Sequence, residues 1–136
     1  MADESLRVLL IEHDAAFARQ VGDMLGQARE LPAEVVTVPD LRAGLTALVG
    51  NHFDVAVMDI SLPDGAGLAN VSLLWTSAPH IPILVAGDSD DDTLALEAVH
   101  AGAHEYLVKG QLTPAWLERG LARPAVQRGL GIPRRS

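Results

Sequence analysis

Asp54-Val-Ala-Val-Met-Asp-Ile-Ser-Leu-Pro-Asp-Gly65 is the stretch from which the rest of the chain can be read. Val55 to Met58 form an apolar run of strand length with no polar alternation, and Asp59 ends it. Leu62-Pro63-Asp64-Gly65 is rich in turn formers. Beyond it Leu68, Val71, Leu74 and Trp75 recur at helical spacing. A strand apolar on both faces is buried on both, which marks a parallel sheet covered by helices.

The same unit repeats on either side. Val8-Leu9-Leu10-Ile11 is an apolar run broken by Glu12-His13-Asp14, and Phe17, Val21, Leu25 and Ala28 follow at helical spacing. Val35 to Val38 make a second strand, after which Asp40 caps a helix carrying Leu41, Leu45 and Leu48. Ile81 to Val85 make the fourth strand, and Asp88 to Asp92 lead into a helix with Leu94, Ala98 and Ala101, closed by Gly102. Tyr106-Leu107-Val108 is the fifth strand, ending at Lys109. Thr113-Pro114 opens a last helix through Trp116, Leu117 and Leu121. From Arg123 on, Pro124, Gly129, Gly131 and Pro133 break the pattern. This gives a tail of residues 1–5, a domain of residues 6–122, and a C-terminal tail or linker of residues 123–136. Five βα units with right-handed crossovers make a doubly wound α/β domain. In such a fold ligands sit at the carboxyl ends of the strands.

Composition narrows the function classes. The 136 residues suit one domain, and 49% of them are apolar, enough for a core. There is no cysteine, so disulfides and thiolate metal sites are excluded and a reducing cytoplasm is the expected setting. No apolar run approaches the ~20 residues of a membrane span, and the acidic Met1-Ala2-Asp3-Glu4 has the wrong sign for a secretory signal. A net charge of −8 disfavours direct nucleic-acid binding. Nine of the ten basic residues are arginine, and Lys109 is the only lysine.

The strand ends gather the chemistry. Glu12, His13 and Asp14 follow the first strand, Asp59 ends the third, Ala86-Gly87 follow the fourth, and Lys109 follows the fifth. Clustered carboxylates repel one another, and a hard cation with oxygen ligands relieves that. A lysine there neutralises a carboxylate or grips a phosphoryl oxygen. Periodicity alone does not separate phosphoryl chemistry from a polar sheet edge.

Four pieces in this order resemble the response-regulator receiver family of bacterial two-component signalling, over roughly Leu6 to Leu121. They are Val8-Leu-Leu-Ile-Glu-His-Asp14, Asp54 to Gly65 as quoted above, Ile81-Pro-Ile-Leu-Val85, and Ala101-Gly-Ala-His-Glu-Tyr-Leu-Val-Lys-Gly110. The resemblance implies a flavodoxin-like (CheY-like) three-layer α/β/α sandwich with a five-stranded parallel sheet of order 2-1-3-4-5. It implies phosphorylation of Asp59 by a sensor histidine kinase or phosphotransfer protein. Mg²⁺ would be held by Asp59, the Ser61 backbone carbonyl and the cluster at Glu12 and His13. Lys109 would pair with the aspartate and then the phosphate. Tyr106 would be a rotamer switch reporting to the face of the fourth helix, fifth strand and fifth helix, where an output protein or fused output domain docks. The resemblance also allows a homodimer. It implies no enzyme beyond self-phosphorylation.

Two positions depart from the family pattern. His13 stands where a metal-ligating acid is expected, and imidazole suits Mg²⁺ less well than carboxylate. It is either a filler at a dead site or a ligand for a softer metal. Gly87 stands where a Thr or Ser hydroxyl is expected to bond the phosphoryl group, and the room it leaves lets Tyr106 turn inward. The rival reading is therefore a degenerate pseudo-receiver, an interaction module independent of phosphorylation. Asp88 to Asp92 lacks the Gly and Glu of a calcium loop, Gly65-Ala-Gly67 lacks the third Gly of a dinucleotide fingerprint, and Gly87-Asp-Ser89 lacks the second Gly of a hydrolase elbow. His52, His80, His100 and His104 are scattered and suggest no site.

Overall fold

Apolar strand runs cannot pair with water on either side, so they pair with one another and bury both faces. The computed structural model describes residues 5–27, 32–65 and 67–127, with side chains through residue 122. Its elements are β1 (Leu6–Ile11), α1 (Ala15–Gly26), β2 (Ala33–Val38), α2 (Leu41–Leu48), β3 (Val55–Asp59), α3 (Gly67–Ser77), β4 (Ile83–Gly87), α4 (Asp92–His100), β5 (Glu105–Val108) and α5 (Pro114–Gln127). A single turn of 3-10 helix, Lys109–Gln111, joins β5 to the last helix. The five strands form one sheet in the order β2-β1-β3-β4-β5, and every pairing is parallel.

Period two sorts the strand side chains between the layers. Val8, Leu10, Val55, Val57 and Leu84 face the side covered by α1 and α5, meeting Phe17, Val21, Leu117 and Leu121. Leu9, Ile11, Ala56, Met58 and Val85 face the other side, meeting Leu41 of α2, Val71 and Leu74 of α3 and Ala98 of α4. Asp40 and Thr113 cap where the sequence places them, and Asp14 and Asp91 cap as well. Asp14 accepts from the N–H groups of Ala16 and Phe17, Asp40 from Ala43, Asp91 from Thr93, and the Thr113 hydroxyl from Trp116.

Three local expectations change. β2 is only partly buried, because it is an edge strand with a neighbour on one side alone. Trp75 is not core but half-exposed. Its Cβ packs at Gly102, whose φ of +127° suits glycine and where an added Cβ would lie 2.8 Å from that of Trp75. The last helix continues through Pro124 to Gln127. Proline removes one backbone bond but already holds a helical φ, and the helix is anchored upstream by the buried Leu117 and Leu121. The breakers Gly129, Gly131 and Pro133, like Ala28, lie outside the described residues. No helix among the described residues is long and apolar enough to cross a membrane.

Candidate functional site at the carboxyl ends of the strands

Register brings the site residues to one rim. Ile11 pairs with Met58, so Glu12 and Asp59 stand side by side one step further on. Asp59 pairs with Ala86, and Gly87 with Val108, which puts Lys109 at the same edge. The rim borders an open cleft of about 540 Å³, lined among others by His13, Asp59, Ser61, Asp88 and Lys109.

Glu12 and Asp59 are almost wholly buried, at 3% and 2% exposure. Lys109 Nζ lies 3.1 Å from Glu12 Oε1, 3.2 Å from Glu12 Oε2 and 3.5 Å from Asp59 Oδ2. Its position is fixed from below by the ring of Phe17, whose centroid is 4.5 Å from Nζ. The Ser61 N–H donates to Asp59 Oδ1 at 2.9 Å, and the Asp14 N–H donates to Glu12 Oε2 at 3.2 Å. His13 Nδ1 is 3.1 Å from Asp59 Oδ2 and 3.8 Å from Glu12 Oε2. Glu12 Oε1 and Asp59 Oδ2 are buried and, among the described residues, lack a conventional hydrogen bond, each being met only by ion-pair partners, Lys109 for both and His13 for Asp59 Oδ2.

Those two buried oxygens state the site's electrostatic problem. Burial pushes the Glu12 carboxyl up, and the neighbouring Asp59 pushes it further, against Lys109. Burial also works to raise Asp59, but the Ser61 N–H, Glu12, Lys109 and His13 outweigh it and hold Asp59 below its ordinary value. Asp59 is thus the settled anion and Glu12 the readier proton holder. A proton or a cation between the carboxylates relieves their mutual repulsion. Glu12, His13 and Asp59 are the one group of three metal-ligating side chains among the described residues, with donor atoms within 4.8 Å of one another.

Gly87 and Tyr106 stand beside this cluster. A Cβ at position 87 would overlap Tyr106 Oη and lie 3.1 Å from Tyr106 Cζ and 3.0 Å from Ile60 Cγ2. The Tyr106 hydroxyl, kept protonated by partial burial and by Asp88, donates to the Ser89 carbonyl at 2.9 Å. The phenol thus occupies the space that a side chain at position 87 would fill.

The structure brings Glu12, His13, Asp59, Ser61 and Lys109 together at the cleft and sets Gly87 with Tyr106 on the adjoining strand end. Sequence reading missed the Phe17 ring under Lys109, since Phe17 sits at a core position of its helix period. It also missed Asp64, which reaches back to the Leu41 and Arg42 N–H groups of α2. Of the scattered histidines, His52 pairs with Asp54 at 2.7 Å, and His52 and His80 line a separate cavity of about 340 Å³ that includes none of the rim residues.

Comparisons with known proteins come to the same place. A family model described as "Response regulator receiver domain" matches residues 8–118. Response regulator protein FleR of Pseudomonas aeruginosa is 32% identical over 103 residues, 76% of this chain and 21% of that protein. The DNA-binding transcriptional activator DevR/DosR of Mycobacterium tuberculosis is 32% identical over 106 residues, 76% of this chain and 48% of that protein. The chain therefore spans less than half the length of either relative. A response regulator receiver domain protein from Clostridium thermocellum has a TM-score of 0.79 at 22% identity, over 92% of this chain and 98% of that one. At that identity the likeness is one of fold.

Proposed function

The chain belongs to the response regulator receiver domain family, and from that premise we propose that it accepts a phosphoryl group on Asp59 from a histidine kinase or phosphotransfer protein. The observation that carries this reading is Asp59 itself. It is a buried carboxylate held in its anionic form, with Lys109 beside it and one oxygen free of hydrogen bonds. In the transfer the donor's P–N bond breaks as a P–O bond forms to Asp59, and the donor imidazole takes up a proton. Lys109 offsets charge on the transferring group, and its short, compact ammonium reaches both carboxylates at once. The Ser61 N–H orients the attacking carboxylate through Oδ1. His13, with 45% of its side chain exposed, stands against Oδ2 at the mouth of the cleft. A divalent cation held at Glu12, His13 and Asp59 would neutralise charge on the transferring group. Mg²⁺ binds weakly there because position 13 offers nitrogen in place of a carboxylate.

The output partner, a separate protein or a domain fused to this one, docks on α4, β5 and α5. Leu96, Val99 and Trp116 are exposed apolar residues on α4 and α5.

The test is mass spectrometry after incubation with a divalent cation and acetyl phosphate or a phosphohistidine donor. One added phosphate is expected, absent in Asp59→Asn. A phosphate that persists in Asp59→Asn overturns the assignment. A second reading, a phosphorylation-independent interaction module, is favoured by Gly87, which offers no hydroxyl, and by Tyr106 already filling its place. Absence of any label in wild type with every donor and cation selects that reading.

A further inference from the structure

The donor set at the cleft does not match the ion for which an all-oxygen site is built. Mg²⁺ demands oxygen ligands and is held chiefly by charge. Here the third side chain of the cluster is an imidazole, and its Nδ1 sits 3.1 Å from Asp59 Oδ2, on the same side as the two carboxylates. The ammonium of Lys109 already lies within 3.5 Å of both carboxylates and offsets negative charge there. A carboxylate at position 13 would add a third negative charge, which the imidazole forfeits. A hard ion loses by that exchange. A borderline ion gains a nitrogen donor, since imidazole suits the later first-row metals. One feature beyond the cluster itself points to a cation. Glu12 and Asp59 are more than nine-tenths buried, and among the described residues their inward oxygens Oε1 and Oδ2 have the Lys109 ammonium and the His13 ring as their only ion-pair partners and no conventional hydrogen bond.

We infer that Glu12, His13 and Asp59 form a one-nitrogen, two-carboxylate site for a borderline divalent transition ion of the Co²⁺ to Zn²⁺ kind, in preference to Mg²⁺. The inference rests on reading this cleft as the phosphoryl-transfer site, but concerns which ion the site selects. Three protein ligands leave open positions on such an ion, as in metal sites that act on a substrate. An incoming phosphoryl oxygen is the natural occupant. The ligating imidazole must be neutral, so capture of the ion also fixes the form in which His13 is held.

The test uses the unphosphorylated protein and two readouts. In the first, NMR of ¹⁵N-labelled imidazoles follows titrations with Zn²⁺ and with Mg²⁺. The His13 nitrogen is expected to move by tens of ppm with Zn²⁺ and scarcely with Mg²⁺. In the second, Co²⁺ is titrated by its visible ligand-field bands, with Mg²⁺ as competitor, in wild type and in His13→Asp. His13→Asp is expected to shift the Co²⁺-over-Mg²⁺ preference toward Mg²⁺ by roughly tenfold or more, since about 1.4 kcal/mol of altered ligation is a factor of ten. If the His13 nitrogen is unmoved by Zn²⁺, or the preference is unchanged in His13→Asp, the inference fails. Should His13→Asp not fold, the imidazole titration of wild type decides alone. Labelling of Asp59 is scored separately. Co²⁺ bound through His13 with no label on Asp59 defeats the proposed function and leaves the metal assignment standing. Label on Asp59 with an unmoved His13 nitrogen does the reverse.

Discussion

At Gly87 a methyl group would overlap the Tyr106 hydroxyl and press on Ile60, so the phenol would have to give way. The absence of a side chain on β4 and the inward position of a side chain on β5 are therefore one feature. Overpacking costs about 1–3 kcal/mol, whereas the stiffer unfolded chain of an alanine returns only ~0.4–1 kcal/mol. Gly87→Ala should accordingly lower thermal stability. In a Tyr106→Ala background the same change should cost far less, because the obstructing ring is gone. A double-mutant cycle by denaturant unfolding measures this, and a coupling of about 1–2 kcal/mol is expected, within the range for residues in contact. Additive effects would mean that Tyr106 does not fill the space at position 87. Lys109 shows the opposite kind of dependence, since its ammonium is held by Glu12, Asp59 and the Phe17 ring together.

Among the elements, α2 is secured at its start by two carboxylates from different parts of the chain. Asp40 accepts from the Ala43 N–H at 2.8 Å, while Asp64, in the loop after β3, accepts from the Leu41 and Arg42 N–H groups at 3.0 Å each. The loop that follows Asp59 is thereby tied to a neighbouring helix. These bonds, led by that from the Leu41 N–H, hold the Asp64 carboxyl below its ordinary 3.8. A carboxylate with a depressed folded pKa contributes stability that is fully present above the unfolded value and lost as pH falls through the folded one. Asp64→Ala should therefore cost about 0.5–1 kcal/mol at neutral pH, the low end for a capping carboxylate because this one is solvent-screened. The difference from wild type should shrink below pH 3.8. Paired chemical denaturations at pH 7 and at acid pH check this. A difference that stays constant with pH would mean that Asp64 acts through packing and not through its charge.

Over the whole molecule, the sheet order sets β1 and β3 side by side at the centre and leads from β3 through β4 to β5. The route from Asp59 to the face of α4, β5 and α5 therefore crosses Gly87. Much of this frame was legible in the sequence, because the first, third and fifth apolar runs stop at polar residues and those stops align once the strands are parallel. Asp59, Glu12 and Lys109 were legible for that reason. What was not legible depends on register and on contacts distant in sequence. Asp64 grips a helix start 22 and 23 residues earlier, and the Tyr106 phenol finds position 87 because Gly87 pairs with Val108 across the ladder. Trp75 was misread because helical spacing does not show that its face lies over a glycine turn. The same crossing sets the last prediction. A charge-assisted hydrogen bond contributes about 1.5–3 kcal/mol, and a ligand shifts an equilibrium only by its differential affinity for the two states. Position 87 has no hydroxyl to make such a bond to a phosphoryl group, and Tyr106 is already inward and bonded to the Ser89 carbonyl. Phosphate on Asp59 thus has little to gain from moving Tyr106. Beryllofluoride, the phosphate mimic, should perturb NMR signals around Asp59, Lys109 and His13 in wild type and leave Tyr106 and α4 nearly unshifted. In Gly87→Thr the added side chain displaces the phenol at rest. The mimic then draws the threonine hydroxyl toward Asp59 and frees the space again. Large shifts at Tyr106 and along α4 are expected only in that variant. If wild type shows the same full set of shifts, the inward Tyr106 is not a standing state of the domain, and the effect of the mimic reaches α4 by a route that does not pass through Gly87.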